Sequence, residues 1–149
     1  MTAIAFATGA MQLLAPGRDH HVLADAIVQR AEAEAPLFKG DDDRHRTVAY
    51  LVAVAFRESS LIVDIVGDHG RSFCAFQIHQ SSGGTPALRT DAGACVAMAF
   101  DMLRTSMRVC AAHPLAWYAE GPNGCASPRA QRLSRDRMAL AAWLVRSVK

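Results

Sequence analysis

The segment Thr47 to Phe56 is apolar on every face of a helix, and it restricts the possible folds more than any other feature of the chain. A helix that presents apolar side chains in all directions is stable only when other elements surround it. The chain has 149 residues, of which 51% are hydrophobic, so it can form one core of that kind. We therefore predict a single domain, residues 1–149, around a central buried helix that ends near Arg57.

Apolar residues at helical spacing predict four more helices. An amphipathic helix should run from Asp19 to Ala35, where Pro36 stops it, and the acidic residues 41–43 should cap the central helix. The other three are a helix capped by Asp91 that ends before His113, a short piece from Leu115 to Glu120, and a final helix opened by Ser127 and Pro128. In that final helix we expect Leu133, Leu140, Trp143 and Leu144 to face the core.

Between Ser59 and Arg89 the helical pattern is interrupted by four glycines and Pro86, with a short apolar run from Phe73 to Ile78. This pattern predicts a loop with at most a small β-hairpin. The predicted fold class is therefore all-α, or α+β at most.

Charge and composition exclude several classes of partner. The net charge of +2 comes from dispersed basic residues, and we interpret the one concentrated stretch, Arg129 to Arg137, as a solvated helix face. We therefore expect no nucleic-acid binding. His20 and His21 would face different sides of a helix, so we expect no metal and no cofactor.

The opening residues Met1 to Pro16 are apolar, but they have no basic residue before the apolar run and no persuasive cleavage site. We therefore do not expect them to be a secretory signal. No apolar stretch reaches the roughly 18 to 20 residues needed to cross a bilayer, so we expect no stable membrane insertion.

Four cysteines, Cys74, Cys95, Cys110 and Cys125, contain no Cys-x-x-Cys pair. If one helix carries both Cys95 and Cys110, they lie about 22 Å apart along it and cannot bond to each other. Our preferred pairing is Cys74 with Cys95 and Cys110 with Cys125, because each bond joins a helix end to the loop nearest in sequence. Four free thiols are the alternative, and an oxidising compartment would favour the bonds.

Glu58 lies at the carboxyl end of the most buried predicted helix, directly before the glycine-rich loop. A carboxyl group partly sunk against apolar walls has its pKa raised by desolvation, and the helix C-terminus acts in the same direction. A general acid that works near neutral pH requires such a pKa. The structural alternatives are an ion pair with Arg57 or a cap on the loop.

Three short blocks follow one another along the chain. They are Phe56-Arg57-Glu58-Ser59-Ser60-Leu61 followed by Gly67 and Gly70, then Cys74-Ala75-Phe76-Gln77-Ile78, and then Trp117-Tyr118-Ala119-Glu120-Gly121. Their order and content resemble the lytic transglycosylase pattern. In that family a Glu-Ser pair ends a buried helix, a glycine-containing loop and a segment similar to Gly-Leu-Met-Gln-Ile follow, and a block similar to Ala-Tyr-Asn-Ala-Gly comes further along.

The resemblance implies a lysozyme-like helical fold with a groove for peptidoglycan glycan strands, in which Glu58 is the catalytic acid. Ser59 and Gln77 match positions that line the groove and hold its shape. Tyr118 matches a tyrosine whose hydroxyl approaches the catalytic carboxyl; a half-buried core aromatic is the alternative. Phe76 and Ile78 could offer apolar surface to a sugar ring, although core packing would also explain them.

The resemblance leaves the reaction type open. A transglycosylase needs one acid, whereas a lysozyme-type hydrolase on the same scaffold needs a second carboxylate, for which Asp64 and Asp68 are the candidates close in sequence. Both could also be solvated turn residues. Two residues depart from the family pattern: Cys74 stands in place of a glycine, and Ala119 in place of an asparagine that contacts the substrate in the family. The missing asparagine leaves an inactive wall-binding or phage-tail module as a further alternative. We expect a monomer that acts in the cell envelope, the periplasm or outside the cell, and phage origin is compatible with its size.

Overall fold

The computed structural model describes residues 1–149 and is mostly helical, with one small antiparallel sheet. The strands are in the order β1-β2-β3, and Phe73 lies opposite both Val66 and Ile78. In chain order the elements are α1 (Ala3–Leu14), α2 (His21–Ala33), α3 (His45–Ser59), β1 (Val66–Gly67), β2 (Ser72–Phe73), β3 (Ile78–His79), α4 (Ala92–Val109), α5 (Ala116–Glu120) and α6 (Pro128–Ser147). Short 3-10 segments at Gln80–Ser82, Pro86–Arg89 and Gly121–Ala126 connect them.

Helix α3 lies at the centre of the molecule, as the sequence predicts. Every residue from Thr47 to Ala55 is fully buried. The surrounding elements are α1, α2 and α6, of which α6 makes the most extensive contact with α3. The helix ends where Ser60 and Leu61 both adopt left-handed backbone conformations, so the chain turns away directly after Glu58.

Helix α1 was not predicted from the sequence. Phe6, Ala7, Ala10 and Met11 are buried on its inner side, and Thr2 caps it by accepting a hydrogen bond from the amide of Ala5. The apolar character of the opening residues therefore reflects packing against α3 and α2. None of the helices combines the length and the apolar composition that a membrane span requires.

The predicted helix caps are confirmed. The buried carboxylate of Asp41 accepts hydrogen bonds from the amides of Arg46 and Thr47 at the start of α3, at 2.9 and 2.7 Å. Asp91 caps α4 through the amide of Ala94, and Ser127 caps α6 in the same way. These side chains satisfy amides that the first turns of the helices leave without partners.

Helix α6 differs from the prediction at Trp143, whose side chain is exposed to 41%. The prediction was wrong because the buried residues of α6 recur every three to four positions along a different stripe, which faces α3 and consists mainly of small side chains. Trp143 precedes the last member of that stripe by one residue, a rotation of about 100°. The buried stripe is Ala130, Ser134, Arg137, Ala141 and Leu144; Leu133 and Leu140 are only partly buried.

Two disulfides, Cys74–Cys95 and Cys110–Cys125, confirm the preferred pairing, and no cysteine is free. The first joins the turn between β2 and β3 to the start of α4. The second joins the end of α4 to the 3-10 segment after α5. Both bonds are consistent with an oxidising environment.

Candidate active site

A groove of about 790 Å³ opens beside the carboxyl end of α3. Its walls come from the small sheet, from α4 and α5, and from the first half of α6. A smaller cavity of about 360 Å³ lies elsewhere, between residues 18–23 and 61–64. The groove is lined by Glu58, Asp68, Ser72, Gln77, Ile78, His79, Ser81, Ser82, Met102, Trp117, Tyr118, Ala119, Glu120, Gly121, Pro122, Arg129, Leu133 and Arg137.

Glu58 occupies the last turn of α3, and 27% of its side chain is exposed at the groove. Desolvation by the surrounding protein raises the pKa of this carboxyl group, and the negative charge of Asp68 acts in the same direction. The Arg137 guanidinium opposes both through its charge and a hydrogen bond, but the net effect is still a raised pKa. Glu58 therefore holds its proton to a higher pH than an exposed glutamate, as a general acid must.

The ion pair of Glu58 is formed with α6 and not with its neighbour in sequence. Arg137 Nη2 lies 3.2 Å from Glu58 Oε1, whereas Arg57 pairs with Asp136 at 3.0 Å. The interpretation of residues 129–137 as a uniformly solvated face is therefore wrong at Arg137, which is buried. Its position in the buried stripe of α6 is the sequence signal that could have revealed it, because a single arginine at core spacing is unusual unless a carboxylate compensates it.

Asp68 lines the same groove, in the turn between β1 and β2. It adopts a left-handed backbone conformation, with φ of 49°, and accepts a short hydrogen bond from the hydroxyl of Ser72. Its negative charge raises the pKa of Glu58, and both carboxyl groups line the groove. Asp64 does not share this position, because it lines the smaller cavity.

Gln77 faces the groove from the turn between β2 and β3, and its amide is held in place by the same turn. Its Nε2 donates to the carbonyl of Cys74 at 3.1 Å, and both residues have left-handed φ, 48° and 63°. Cys74, which stands where the family has a glycine, therefore adopts a backbone conformation that glycine adopts more readily. The Cys74–Cys95 bond anchors this turn to α4.

Gly67 provides the space that the Gln77 amide occupies. A Cβ at this position would lie 1.9 Å from Gln77 Oε1, so any side chain would displace the amide. In the glycan-cleaving activity that the sequence resemblance implies, we expect Gly67→Ala to lower the turnover number by about ten- to a hundredfold, because misplacing a groove residue by about 1 Å is enough for such a loss. The melting temperature should change little, since the displaced atom ends a flexible side chain.

The Gly67→Ala prediction is checked by comparing Gly67→Ala, Gln77→Ala and the double variant in one assay of cell-wall solubilisation. If the glycine acts through Gln77, the double variant should be no less active than Gln77→Ala alone. Additive losses would show that Gly67 matters for another reason.

Tyr118 reaches the groove from α5 and is fixed at both its ends. Its hydroxyl donates to the carbonyl of Phe76 at 2.6 Å, and its amide donates to the hydroxyl of Ser106. Burial raises the pKa of the phenol well above its ordinary value, and the charge of Glu58 adds to the effect. The phenol therefore stays neutral, and its proton is directed to Phe76 while its ring borders the groove near Glu58.

The structure does not bring every predicted site residue into the groove. Ser59 is buried, and its hydroxyl donates to the carbonyl of Ala55 one turn earlier, so it holds the end of α3. The side chain of Phe76 lies in the core, and only its carbonyl is used, by Tyr118. Ile78 is almost fully buried but contributes to the groove wall. Ala119 also lies in the groove wall.

The structure contains no group of three or more histidine, cysteine or carboxylate side chains that could hold a metal ion.

The raised pKa of Glu58 predicts how stability depends on pH. Because the folded-state pKa lies above the unfolded value, the contribution of this group is fully present below the unfolded pKa and is lost as pH rises through the folded pKa. Glu58→Gln resembles the protonated form, so it should remove this dependence and melt at a higher temperature than the wild type at pH 8. Melting curves between pH 4 and pH 8 test this, and a variant that is less stable than the wild type at pH 8 would contradict it.

Comparisons with known proteins gave no match to this chain among protein-family models, curated proteins or solved structures. A functional interpretation therefore depends on the chemistry of the groove and on the short motifs around it.

Proposed function

We propose that the protein is a peptidoglycan-cleaving lytic transglycosylase with a lysozyme-like fold, in which Glu58 serves first as the acid and then as the base. One observation carries the proposal: a carboxyl group with a raised pKa ends the buried helix α3 and faces a groove bordered by Gln77 and Tyr118. These residues belong to the three motif blocks of the lytic transglycosylase resemblance. They are separated in sequence and line one groove.

In the first step, Glu58 donates its proton to the glycosidic oxygen between N-acetylmuramic acid and N-acetylglucosamine. The bond from this oxygen to C1 of the muramic residue breaks, and the carbonyl oxygen of the muramic residue's own N-acetyl group bonds to C1. The leaving sugar keeps the proton as a hydroxyl group, and Glu58 becomes a carboxylate. The substrate itself thereby replaces the second carboxylate of a hydrolase.

In the second step, the 6-hydroxyl of the muramic residue attacks C1 and gives its proton to Glu58. The bond from the N-acetyl oxygen to C1 breaks, and a 1,6-anhydro sugar leaves. No water is consumed, and the enzyme returns to its starting protonation state. A single carboxyl group is therefore sufficient, provided that its pKa allows both transfers.

The neighbouring residues have roles that follow from their contacts. Tyr118 forms part of the apolar wall that desolvates Glu58, and its bond to Phe76 ties α5 to the sheet. The Gln77 amide can hydrogen-bond the acetamido or hydroxyl groups of a sugar, because its Oε1 is not used by the turn that holds its Nε2.

A lysozyme-type hydrolase is the second candidate, and the position of Asp68 in the groove favours it. In that reaction Asp68 would hold or activate the water that replaces the 6-hydroxyl. Its short hydrogen bond from Ser72 fixes one carboxylate oxygen. The products separate the two reactions, because hydrolysis leaves a reducing muramic end and transglycosylation leaves an anhydro end.

The two disulfides and a wall substrate together suggest where the protein acts. Disulfides persist in oxidising compartments, and peptidoglycan lies outside the cytoplasmic membrane. We propose the cell envelope, the periplasm or the extracellular space as its place of action.

Solubilisation of purified peptidoglycan tests the proposal at the level of enzyme class. The wild-type protein should lower the turbidity of a suspension of purified sacculi and release soluble muropeptides. Binding to the sacculi without any release would contradict the proposal and support the alternative of an inactive wall-binding module, which the alanine at position 119 suggested.

A further inference from the structure

The buried arginine of α6 has no role in the two steps described above. Arg137 keeps only 10% of its side chain exposed, with Nη2 at 3.2 Å from Glu58 and Nη1 at 3.3 Å from Asp136, while its Nε has no partner. Burying a guanidinium is unfavourable unless carboxylates compensate it closely. An arginine at this position therefore needs an explanation beyond packing.

We propose that Arg137 is a positioning residue: it orients the Glu58 carboxyl group in the groove and stabilises its ionised form between the two proton transfers. The inference rests on the proposed function, because only a group that gives a proton and then takes one back needs its ionised form stabilised for part of the cycle. Arg137 acts through Glu58 and has no need to touch the substrate itself.

The contacts between α3 and α6 separate this pair from an ordinary helix-to-helix ion pair. Arg57 and Glu58 are adjacent on α3, and Asp136 and Arg137 are adjacent on α6. Two neighbouring ion pairs therefore link the helices; α3 contributes the cation to one pair and the anion to the other. The Arg57–Asp136 pair is exposed to 41% and 43%, and water screens it. The Arg137–Glu58 pair is buried to a greater extent, so its charges act on each other more strongly.

The charged groups that act on Glu58 come from two other elements, the turn after β1 and helix α6. Asp68, in the turn after β1, and burial itself favour the protonated carboxyl. Arg137 on α6 favours the ionised carboxyl. Tyr118 on α5 has a phenol pKa raised by burial, so it remains neutral and adds no charge beside Glu58. Arg137 thus acts against the two effects that would otherwise hold the proton on Glu58.

The test removes the charge of Arg137 and follows the ionisation of Glu58. In Arg137→Gln, kcat should fall by at least about tenfold with KM little changed, because the carboxyl is misplaced and its ionised form is less stable. The alkaline limb of the pH profile of kcat/KM, where Glu58 loses its proton, should move to higher pH by about one pH unit. A purely structural role for Arg137 would leave that limb in place.

Two variants provide the controls. Arg57→Gln breaks the exposed pair between the same helices without touching Glu58, so the limb should stay at the wild-type pH. Arg137→Lys keeps the charge and should restore the position of the limb, although kcat need not recover fully because lysine lacks the planar fork of the guanidinium. A limb that moves equally in Arg57→Gln would overturn the inference.

A titration without substrate separates this inference from the proposed function. The side-chain carboxyl signal of Glu58, followed by carbon-13 NMR in the free protein and assigned with Glu58→Gln, should titrate at higher pH in Arg137→Gln than in the wild type. If Arg137→Gln does not fold, Arg137→Met removes the same charge while filling similar volume. An unchanged titration overturns the role of Arg137, whereas a shifted titration in a protein that cleaves no glycan overturns only the proposed function.

Discussion

Replacing Glu58 with glutamine is expected to lower the rate of peptidoglycan solubilisation by at least about a thousandfold, because general acid catalysis by one side chain contributes about 10²–10⁴. The loss should lie near the upper end of this range, since in the proposed reaction the same carboxyl group acts in both steps. Glutamine fills the same volume and can still accept a hydrogen bond from Arg137, so the fold should remain intact. Release of soluble muropeptides, measured against the wild type at equal concentration, gives the result.

Asp64→Asn provides the matched control for Glu58→Gln. It makes the same change from acid to amide a few residues along the chain, but Asp64 lines the smaller cavity and not the groove. This variant should keep near wild-type activity. Normal lysis by a folded Glu58→Gln protein would mean that another group supplies the proton.

Removal of the Cys74–Cys95 disulfide is expected to affect both stability and activity. The bond joins residues 21 apart, and the loop-closure relation gives a loss of about 3 kcal/mol in the free energy of unfolding. Cys74 also belongs to the turn that holds the Gln77 amide, so the freed turn should misplace that amide. The double variant Cys74→Ser/Cys95→Ser should therefore lose at least about tenfold in turnover even well below its melting temperature.

The second disulfide serves as the control, because it closes a loop of 15 residues and should contribute similarly to stability. Cys110→Ser/Cys125→Ser should lose about as much free energy of unfolding but keep more of its activity, because neither cysteine belongs to the turn that holds the Gln77 amide. Urea unfolding and wall solubilisation, measured on both double variants, test the pair of expectations. Equal activity in the two variants would show that the turn does not need its anchor.

The sequence predicted the helices whose apolar residues either recur at helical spacing or occupy every face. The segment from Thr47 to Phe56, apolar on every face, was expected to be surrounded; Thr47 to Ala55 is fully buried, and Phe56 is partly buried. The caps at Asp91 and Ser127 were recognisable because each side chain satisfies an amide of its own first turn. The disulfide pairing followed from helix length, which excluded one connectivity, and from proximity along the chain.

The features that the sequence did not predict depend on tertiary contacts. Helix α1 is apolar because it packs on α3, and the same composition suited other interpretations of an N-terminal segment. Trp143 follows the helical period almost as well as its neighbour Leu144, and only the orientation of α6 decides which one is buried. Asp68 and Asp64 are equivalent as turn residues in sequence, but the sheet brings one into the groove and leaves the other outside.

Among the site residues, Glu58 could be selected because its position at the end of a fully apolar helix is visible in sequence. Arg137 was missed, because its partner is 79 residues away and a run of arginines on a helix usually faces solvent. Its core spacing in α6 was the one signal in the sequence. Ser59 and Phe76 were assigned to the groove by resemblance, and local geometry directs their side chains elsewhere: one donates to a carbonyl of its own helix and the other packs in the core.

The central claim is that one buried carboxyl group cleaves a glycan strand without water. Mass spectrometry of the soluble fragments from purified peptidoglycan, digested in water enriched in oxygen-18, tests it most directly. The account predicts muropeptides that end in 1,6-anhydromuramic acid and carry no oxygen-18 at C1. Reducing muramic ends labelled with oxygen-18 would contradict it and assign the protein to the hydrolases, with Asp68 as the second carboxylate.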